Sequence, residues 1–471
     1  MRKTANEDLP AFIRRQPAED LAALLIELCD TVEPVCKRVE RLQLAHRPDK
    51  LAAAFRKQLA AWKRSTRFLG WQEAREFAAT IGVWLTQVEA ELLPLDPPAA
   101  LALFEEFIEA DAVWFERMDD SGGELGDVIG DACRHWLDAA ARCETPAAEW
   151  PQRLMRLYDA DAYGARDTLL RHADRLLDQK ALHELAGDWQ ARLEAAVEQP
   201  RAGPGPGYEV FRLSGALGIL SELLHEPELH VRAVLCYSPQ PNEMQKQRFA
   251  QAWLEVARPE QAMPWLKGDW GHLDRVRRML LAEALRQLGR HGESAAIRQA
   301  LFETSLSCDD LDHWLQELPE AERGPARQRA HEHALAHADA VAAATMLLKL
   351  EDPAAAEHRL VQAAETVDGR DYTRLLPVAE ALRGEGCARG ETVVLRALLA
   401  DILGRASARA YGHAAKYLQR LREIAAAGET LAPLPEHADL EHQLQARHPR
   451  KALFWAEVAR AEGKPPAGGG R

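Results

Sequence analysis

The chain has 471 residues, a formal net charge of −14 and 47% hydrophobic residues, which is enough apolar material for a sizeable folded core. The acidic balance argues against non-specific binding to nucleic acid or anionic lipid, because both partners are negatively charged. No segment approaches the ~20 apolar residues of a membrane span, the N-terminus lacks the apolar core of a signal peptide, and the seven cysteines form no C-x-x-C pair. These features predict a cytoplasmic protein with reduced, mostly buried cysteines, no membrane partner and no cofactor.

The N-terminal segments are predicted to be amphipathic helices, because apolar residues recur three and four positions apart. The first runs from Leu21 to Val35 and is expected to bend near Pro34. Cys29 and Cys36 are seven positions apart, on one face of this helix, and are expected in the core. Later segments repeat the pattern between short breaks rich in proline and glycine, which predicts helical hairpins.

A Gly/Pro-rich loop or linker is predicted at 201–209. It follows an N-terminal helical-hairpin region, 1–200, and precedes a C-terminal helical-repeat region, 210–460. Residues 461–471 are predicted to be a disordered tail. The predicted fold class is all-α, built from degenerate helical-hairpin repeats as an α-solenoid of tetratricopeptide or HEAT type. A compact set of helical bundles is the alternative.

Charge is segregated between two neighbouring N-terminal hairpins. Residues 37–75 carry eleven basic and three acidic side chains, a net of +8, whereas residues 87–131 carry thirteen acidic and one basic, a net of −12. The simplest interpretation is two solvated faces that partly neutralise each other. The alternative is a basic groove for an acidic protein segment or a single-stranded nucleic acid, which would use interleaved basic and aromatic residues. The candidate contact residues are Lys57, Trp62, Lys63, Arg64, Arg67, Phe68 and Trp71.

An acidic corner, DDSGGELGD, lies at residues 119–127. Several carboxylates beside a glycine turn suit a hard cation such as Mg²⁺ or Ca²⁺, although the spacing is not that of an EF-hand. A structural interpretation is a capping box, in which Ser121 caps a helix that starts near Gly122 and Glu124 reaches back. The candidate metal ligands are Asp119, Asp120, Glu124 and Asp127.

Other patterns give little support for chemistry. His333 and His337 are four apart, which on one helix face is the spacing of two zinc ligands. Cys133 lies near His135, but the acidic neighbourhood is expected to raise the pKa of the thiol. The sequence contains no P-loop and no G-x-S-x-G. No nucleophile, base and orienting group come together in one motif, which favours a non-enzyme.

Two groups of segments carry a family resemblance. RSTRFLGWQEA (64–74) and the run from Phe104 to FERMDDSGGELGDVI resemble a family of uncharacterised bacterial proteins that share a domain of unknown function. ARAYGHAAKYLQRLREI (408–424) and HPRKALFWAEV (448–458) are similar to the helical region that accompanies SWIM-type zinc fingers in some bacterial proteins. The Cys-x-Cys…Cys-x-His finger is absent, so no SWIM zinc is carried over. The resemblance implies no activity. The recurrent features that it implies are the acidic corner, Arg67-Phe68, Trp71, Tyr411-Gly412-His413 and Phe454-Trp455.

The predicted function is therefore a non-catalytic helical-repeat scaffold that binds a protein partner. The first alternative is nucleic-acid binding through residues 37–75, and the second is a metal-dependent enzyme that uses the carboxylates of 119–131. C-terminal basic residues would assist the nucleic-acid alternative, namely Arg405, Arg409, Lys416, Arg420 and Arg422.

Overall fold

The computed structural model describes residues 9–44, 46–199, 207–428 and 430–461. It is 76% helical, more than twice the ~30–35% of an ordinary soluble protein. Within these ranges no strand occurs, and the one sheet-like pairing is an isolated bridge between Leu69 and Met118. The predicted all-α fold, with helices packed in neighbouring pairs, is confirmed.

The chain divides into two compact units, Met1–Gln245 and Lys246–Arg471. The linker predicted at 201–209 lies mostly outside the described residues, and a helix already begins at Tyr208. The predicted tail at 461–471 likewise lies outside them, apart from residue 461. The domain boundaries given by the sequence therefore stay a prediction.

The N-terminal unit contains thirteen α-helices within its described residues. They are α1 (Leu9–Arg14), α2 (Ala18–Thr31), α3 (Glu33–Leu42), α4 (Pro48–Arg64), α5 (Trp71–Gln87), α6 (Pro97–Ile108), α7 (Asp111–Phe115), α8 (Glu124–Ala140), α9 (Trp150–Asp159), α10 (Thr168–Arg171), α11 (Gln179–Glu198), α12 (Tyr208–Leu224) and α13 (Pro227–Tyr237). A π-helical turn, Val88–Leu92, extends α5. Helices α4, α5, α6 and α8 pack together, and α10 to α13 continue from α8.

Proline and the apolar repeat define the helices of this unit. Helix α4 begins at Pro48, where the missing N–H breaks no helical hydrogen bond, and it buries Leu51, Phe55 and Leu59 at four-residue intervals. The bend predicted near Pro34 is wrong in detail. The helix stops completely at Val32, whose backbone is extended (φ −126°, ψ 93°), and the proline takes up the first turn of α3.

The C-terminal unit follows, and its first helix begins just before the boundary. The helices are α14 (Glu243–Glu255), α15 (Pro259–Ala262), α16 (Asp274–Gln287), α17 (His291–Ser305), α18 (Cys308–Glu317), α19 (Glu320–Ala336), α20 (Ala340–Lys349), α21 (Pro353–Gln362), α22 (Tyr372–Gly384), α23 (Ala388–Gly404), α24 (Tyr411–Ala426), α25 (His437–Arg447) and α26 (Ala452–Ala461).

Helices of this unit pack on their chain neighbours and on the next helix but one. Helix α20 contacts both α21 and α22, whereas α21 contacts α23 and α23 contacts α24. Two layers of helices result over this stretch. Tryptophan fills gaps between helices in both units, as its size favours. The fully buried tryptophans are Trp84, Trp114, Trp136, Trp189 and Trp314.

Candidate functional site

Helices α3 and α4 enclose an open groove of about 490 Å³ in the N-terminal unit. Its walls combine apolar surface with cations. The lining residues are Lys37, Glu40, Arg41, Leu44, Ala54, Lys57, Gln58, Ala61 and Trp62. Two of the candidate contact residues predicted from the sequence, Lys57 and Trp62, belong to this set.

A row of cations runs along α4 beside the groove. Lys50, Lys57 and Arg64 are exposed and lie seven residues apart, with Ala54 and Ala61 between them. Seven residues correspond to about two helical turns, or ~10.5 Å along the axis. The face of α4 opposite this row is buried in the core. We call Lys50, Ala54, Lys57, Ala61 and Arg64 the α4 stripe.

The three cations of the α4 stripe have no ion pair, unlike most of their basic neighbours; Arg47, just before α4, also has none among the described residues. Among the described residues, no side-chain hydrogen bond or salt bridge reaches Lys50, Lys57 or Arg64. Neighbouring cations are paired with acids of the following hairpin, as the mutual neutralisation of the two hairpins requires. Arg41 Nε lies 2.9 Å from Glu91. The Lys63 ammonium lies 3.3 Å from Glu106, so Lys63 is not free for a partner.

The aromatic candidates separate into one core residue and two exposed ones. Trp62 packs edge-on against Phe77 and Trp84, with ring centroids 5.8 Å apart in both pairs, so its ring serves the core. Phe68 and Trp71 follow the end of α4 and are 60% and 51% exposed. Arg67 forms an ion pair with Glu73 beside them. Phe68 and Trp71 therefore add exposed apolar surface to the segment that follows the α4 stripe in the chain.

The acidic corner is a helix start held by its own carboxylates. Helix α8 begins at Glu124, after Gly123 in the left-handed region (φ 80°), where glycine is favoured. Asp120 Oδ1 accepts a hydrogen bond from the Leu125 amide at 2.8 Å, and its Oδ2 accepts one from Gly126 at 3.2 Å. The capping box predicted for Ser121 is therefore wrong. The longer reach of Asp120 across the Gly-Gly turn satisfies the first-turn amides instead.

The other corner carboxylates do not converge on one point. Asp119 accepts from the Ser121 amide at 3.1 Å, and Glu124 lies 3.8 Å from Arg75 rather than from Arg64 or Arg67. Asp127 lines a shallow polar pocket with Asp131 and Asp167. Within the described part of the chain, no cluster of three or more His, Cys, Asp or Glu side chains could hold a metal ion. The metal-dependent enzyme thus gains no structural support.

Replacing Asp120 with alanine should lower the free energy of unfolding by about 1–2 kcal/mol, because two first-turn amides of α8 lose their acceptor. Urea denaturation measures this change. Asp127→Ala is the matched control and should stay within about 0.5 kcal/mol, as for an ordinary surface change. Equal losses in both variants, or a thermal shift with Mg²⁺ that only Asp120→Ala abolishes, would contradict the capping role.

His333 and His337, whose spacing is that of zinc ligands on one helix face, do not share a helix, although their ring centroids lie 6.2 Å apart. Helix α19 ends at Ala336, so His337 follows it in extended backbone (φ −70°, ψ 140°). His333 Nε2 instead lies 2.9 Å from the backbone carbonyl of Glu303, and His337 Nδ1 interacts with the backbone of Asp339. The helix stops one residue too early for the predicted geometry, because the chain turns there to begin α20 at the Asp339 cap.

The cysteines agree with the prediction only in part. The pKa of the Cys133 thiol is raised, as expected, but its burial is the main cause rather than the acidic neighbourhood. The other six are only half-buried, so the expectation of mostly buried cysteines is wrong. Cys29 and Cys36 lie on different helices, because the chain breaks at Val32, and neither is in the core.

A larger groove in the C-terminal unit escaped sequence reasoning. It measures about 750 Å³ and has an apolar floor that includes Leu306, Leu348 and Val378. Arg374 at its edge is paired with Asp339 at 2.8 Å, and Lys349 with Asp312 at 2.9 Å. Its lining comes from α17, α18, α20 and α22, so no contiguous motif could have revealed it.

The C-terminal basic residues proposed for nucleic acid are largely neutralised. Arg405 forms an ion pair with Asp401, Arg420 lies 2.9 Å from Glu391, and Arg422 pairs with Glu441 at 2.5 Å. Three of the five cations thus serve interhelical or local contacts. These ion pairs weaken the expectation that the five residues form a nucleic-acid surface.

Together these features define an all-α helical-repeat protein with a cationic stripe that is unpaired among the described residues. The chain belongs to a family of unknown function, DUF6880, whose model matches residues 11–208 and 238–457. The predicted resemblance to an uncharacterised family is thereby confirmed. Searches of curated proteins and of solved structures found no match. No described helix has both the length and the apolar character needed to cross a bilayer.

Proposed function

We propose that this protein is a non-catalytic scaffold that binds an acidic segment of a protein partner in the α3–α4 groove. The α4 stripe carries this proposal. Its three cations are exposed on an otherwise acidic molecule and have no ion-pair partner among the described residues. Exposed charges of one sign beside apolar surface steer a partner of opposite charge and fix its register.

The spacing of the stripe suits a helical partner. A helix with an acidic residue every seven positions presents a carboxylate every ~10.5 Å. The cations Lys50, Lys57 and Arg64 are spaced at the same interval along α4. Ala54 and Ala61 lie between the cations and leave room for the partner's apolar side chains to approach α4. Leu44 supplies apolar surface in the same groove. The fit is that of an amphipathic acidic helix lying along a groove.

A nucleic acid is the alternative occupant and is less well supported. Single-stranded binding platforms combine cations with stacking rings, but the Trp62 ring is engaged in the core. Most of the basic residues around the stripe are paired with acids, four of them with Glu91 or Glu106. The net charge of −14 also repels phosphate from the rest of the surface.

Fluorescence anisotropy with two labelled probes tests the proposal. One probe is a helix-forming peptide with glutamate every seven residues and leucine on its adjoining face, and the other is a mixed-sequence single-stranded oligonucleotide. We expect saturable binding of the peptide, and weaker binding as salt rises. Changing Lys50, Lys57 and Arg64 together to glutamate should weaken it ~10–100-fold, since three exposed pairs of about 0.2–1 kcal/mol each become repulsive.

The matched control reverses three other exposed cations that have no described partner, namely Lys267, Arg409 and Lys416. Both triple variants change the net charge equally, so only the place of the charges differs. We expect the control to bind the peptide like the unaltered protein. Binding of the oligonucleotide alone would favour nucleic acid, whereas equal weakening by both triple variants, or no peptide binding at all, would overturn the proposal.

We also propose that the helical repeats form a solenoid and that the protein is cytoplasmic. The alternate packing of α20 with α22 and α21 with α23 supports a solenoid of tetratricopeptide type. Seven free cysteines support a reducing, cytoplasmic setting. The similarity of the C-terminal part to SWIM-associated helical regions rests on its sequence segments alone.

A further inference from the structure

Helix α2 is an apolar helix that contributes nothing to the core of its own chain. None of its residues is buried, and its main packing partner among the described helices is α3. Three successive apolar side chains, Leu24, Leu25 and Ile26, are 50%, 43% and 67% exposed. Adjoining exposed apolar side chains of this size mark a surface that another protein covers.

The charged side chains of α2 are all acidic. Glu19, Asp20, Glu27 and Asp30 are exposed, and within the described ranges no salt bridge or side-chain hydrogen bond reaches them. Asp20 and Glu27 are seven residues apart, or ~10.5 Å along the axis, and Leu24 lies between them on the same side of the helix. We call Asp20, Leu24 and Glu27 the α2 row.

The α2 row is complementary to the α4 stripe. In the stripe, cation, alanine and cation follow one another at intervals of four and three residues, twice over. The α2 row repeats these intervals with acid, leucine and acid. When two such helices lie parallel, each acid meets a cation, and the leucine meets an alanine whose small side chain leaves room for it.

The chain does not use this complementarity within itself. No residue of α2 lines the α3–α4 groove, and the acids of the α2 row have no counterion among the described residues. Only Val32 connects α2 to α3, and so short a connection leaves α2 little freedom to enter the groove of its own chain. The helix that fits the groove therefore has to come from another molecule.

We propose that the acidic helix bound in the α3–α4 groove is α2 of a second copy of this chain, so that the protein is a dimer held by the exchange of α2. This inference rests on the proposed function, because it uses the same groove, and it names the partner. Both surfaces are present in every copy. Each chain therefore inserts its α2 into the groove of the other about a twofold axis, and neither surface is left uncovered.

Sedimentation equilibrium of the full-length protein tests the dimer. We expect a monomer–dimer equilibrium whose dissociation constant rises with salt. Two variants reverse the two sides of the contact, Asp20→Lys/Glu27→Lys on α2 and Lys50→Glu/Lys57→Glu/Arg64→Glu on α4. Each variant alone should raise the dissociation constant about 10–100-fold, because its own α2 and groove now repel each other.

An equal mixture of the two variants is the decisive measurement. In the mixed dimer, the basic α2 of one variant meets the acidic groove of the other, and the unaltered α2 meets the unaltered groove. The mixture should therefore associate about as tightly as the unaltered protein, and this recovery also shows that both variants fold. Glu19→Lys/Asp30→Lys is the matched control on α2, because it makes the same charge change on another side of the helix. It should dimerise like the unaltered protein.

A protein that stays monomeric at every concentration, a dimer that both variants leave intact, or a mixture that does not associate would overturn the second-copy inference. The glutamate–leucine peptide separates this failure from failure of the proposed function. If the chain is monomeric and still binds the peptide through Lys50, Lys57 and Arg64, only the second copy is wrong. If neither the peptide nor a second copy binds, the groove itself is not a binding surface and both proposals are wrong.

Discussion

Replacing Arg166 with methionine should lower the free energy of unfolding by about 3–5 kcal/mol, because it leaves a buried carboxylate without its counterion. Arg166 and Asp111 are 1% and 2% exposed, and the Arg166 Nη2 lies 2.8 Å from Asp111 Oδ2. The guanidinium also donates to the carbonyls of Leu157 at 2.6 Å and Ile108 at 3.0 Å. It thereby joins the segments around α6, α7 and α9.

The pH dependence of this variant has a defined sign. Burial already raises the pKa of Asp111, and Arg166 acts in the opposite direction. Loss of the Arg166 cation raises the pKa of Asp111 in the folded state further. The destabilisation is therefore largest at a pH at which the Asp111 carboxyl is ionised in the unfolded chain. The deficit should therefore be greater at pH 7 than near pH 4, where the unfolded state also approaches protonation.

Urea denaturation at both pH values measures these differences. Arg171→Met is the control, because Arg171 is half-exposed and its ion pairs with Asp167 and Glu222 are long, at 3.8 and 3.4 Å. It should change stability by no more than about 1 kcal/mol. The double variant Asp111→Leu/Arg166→Met should recover part of the loss, since it removes the unpaired charge. A loss below about 1 kcal/mol for Arg166→Met would show that the pair is not essential to the fold.

Replacing Trp314 with alanine should destabilise the C-terminal unit by about 3–5 kcal/mol, the range for truncation of a buried tryptophan. Trp314 is 1% exposed. Its ring stacks on Phe302 with centroids 5.6 Å apart and an angle of 25°, and the Arg329 guanidinium lies 5.4 Å from the ring centre. The alanine leaves a cavity between α17, α18 and α19 and also removes the cation–π contact.

Trp71→Ala gives a matched comparison, because it deletes the same atoms from a side chain that is 51% exposed. Its effect on stability should stay below about 1 kcal/mol. The same variant should weaken binding of the acidic peptide if the exposed aromatic end of the α4 stripe contributes apolar contact. Thermal and urea unfolding compare the two variants. Similar losses in both would mean that the burial of Trp314 does not govern the stability of its unit.

The sequence by itself determined the helical class and the charge pattern. Strong helix formers and apolar residues three and four apart leave little alternative to helices, so local periodicity was enough for α4 and for α23 with α24. The seven-residue spacing of Lys50, Lys57 and Arg64 can likewise be read from the sequence. The sequence cannot show that these three residues lack ion pairs, because that depends on where Glu91 and Glu106 lie in the folded chain.

Tertiary structure decided which residues meet. The sequence placed Cys29 and Cys36 on one helix and His333 with His337 on one face, but each helix stops at a different residue from the one that periodicity suggests. Asp120 rather than Ser121 caps α8. The chain turns at the left-handed Gly123, and the Asp120 carboxylate accepts the hydrogen bond of the Leu125 amide in the first turn of the helix. The buried pair of Asp111 and Arg166 joins residues 55 positions apart. Local pattern cannot reveal such contacts, since they arise only when separate helices pack together.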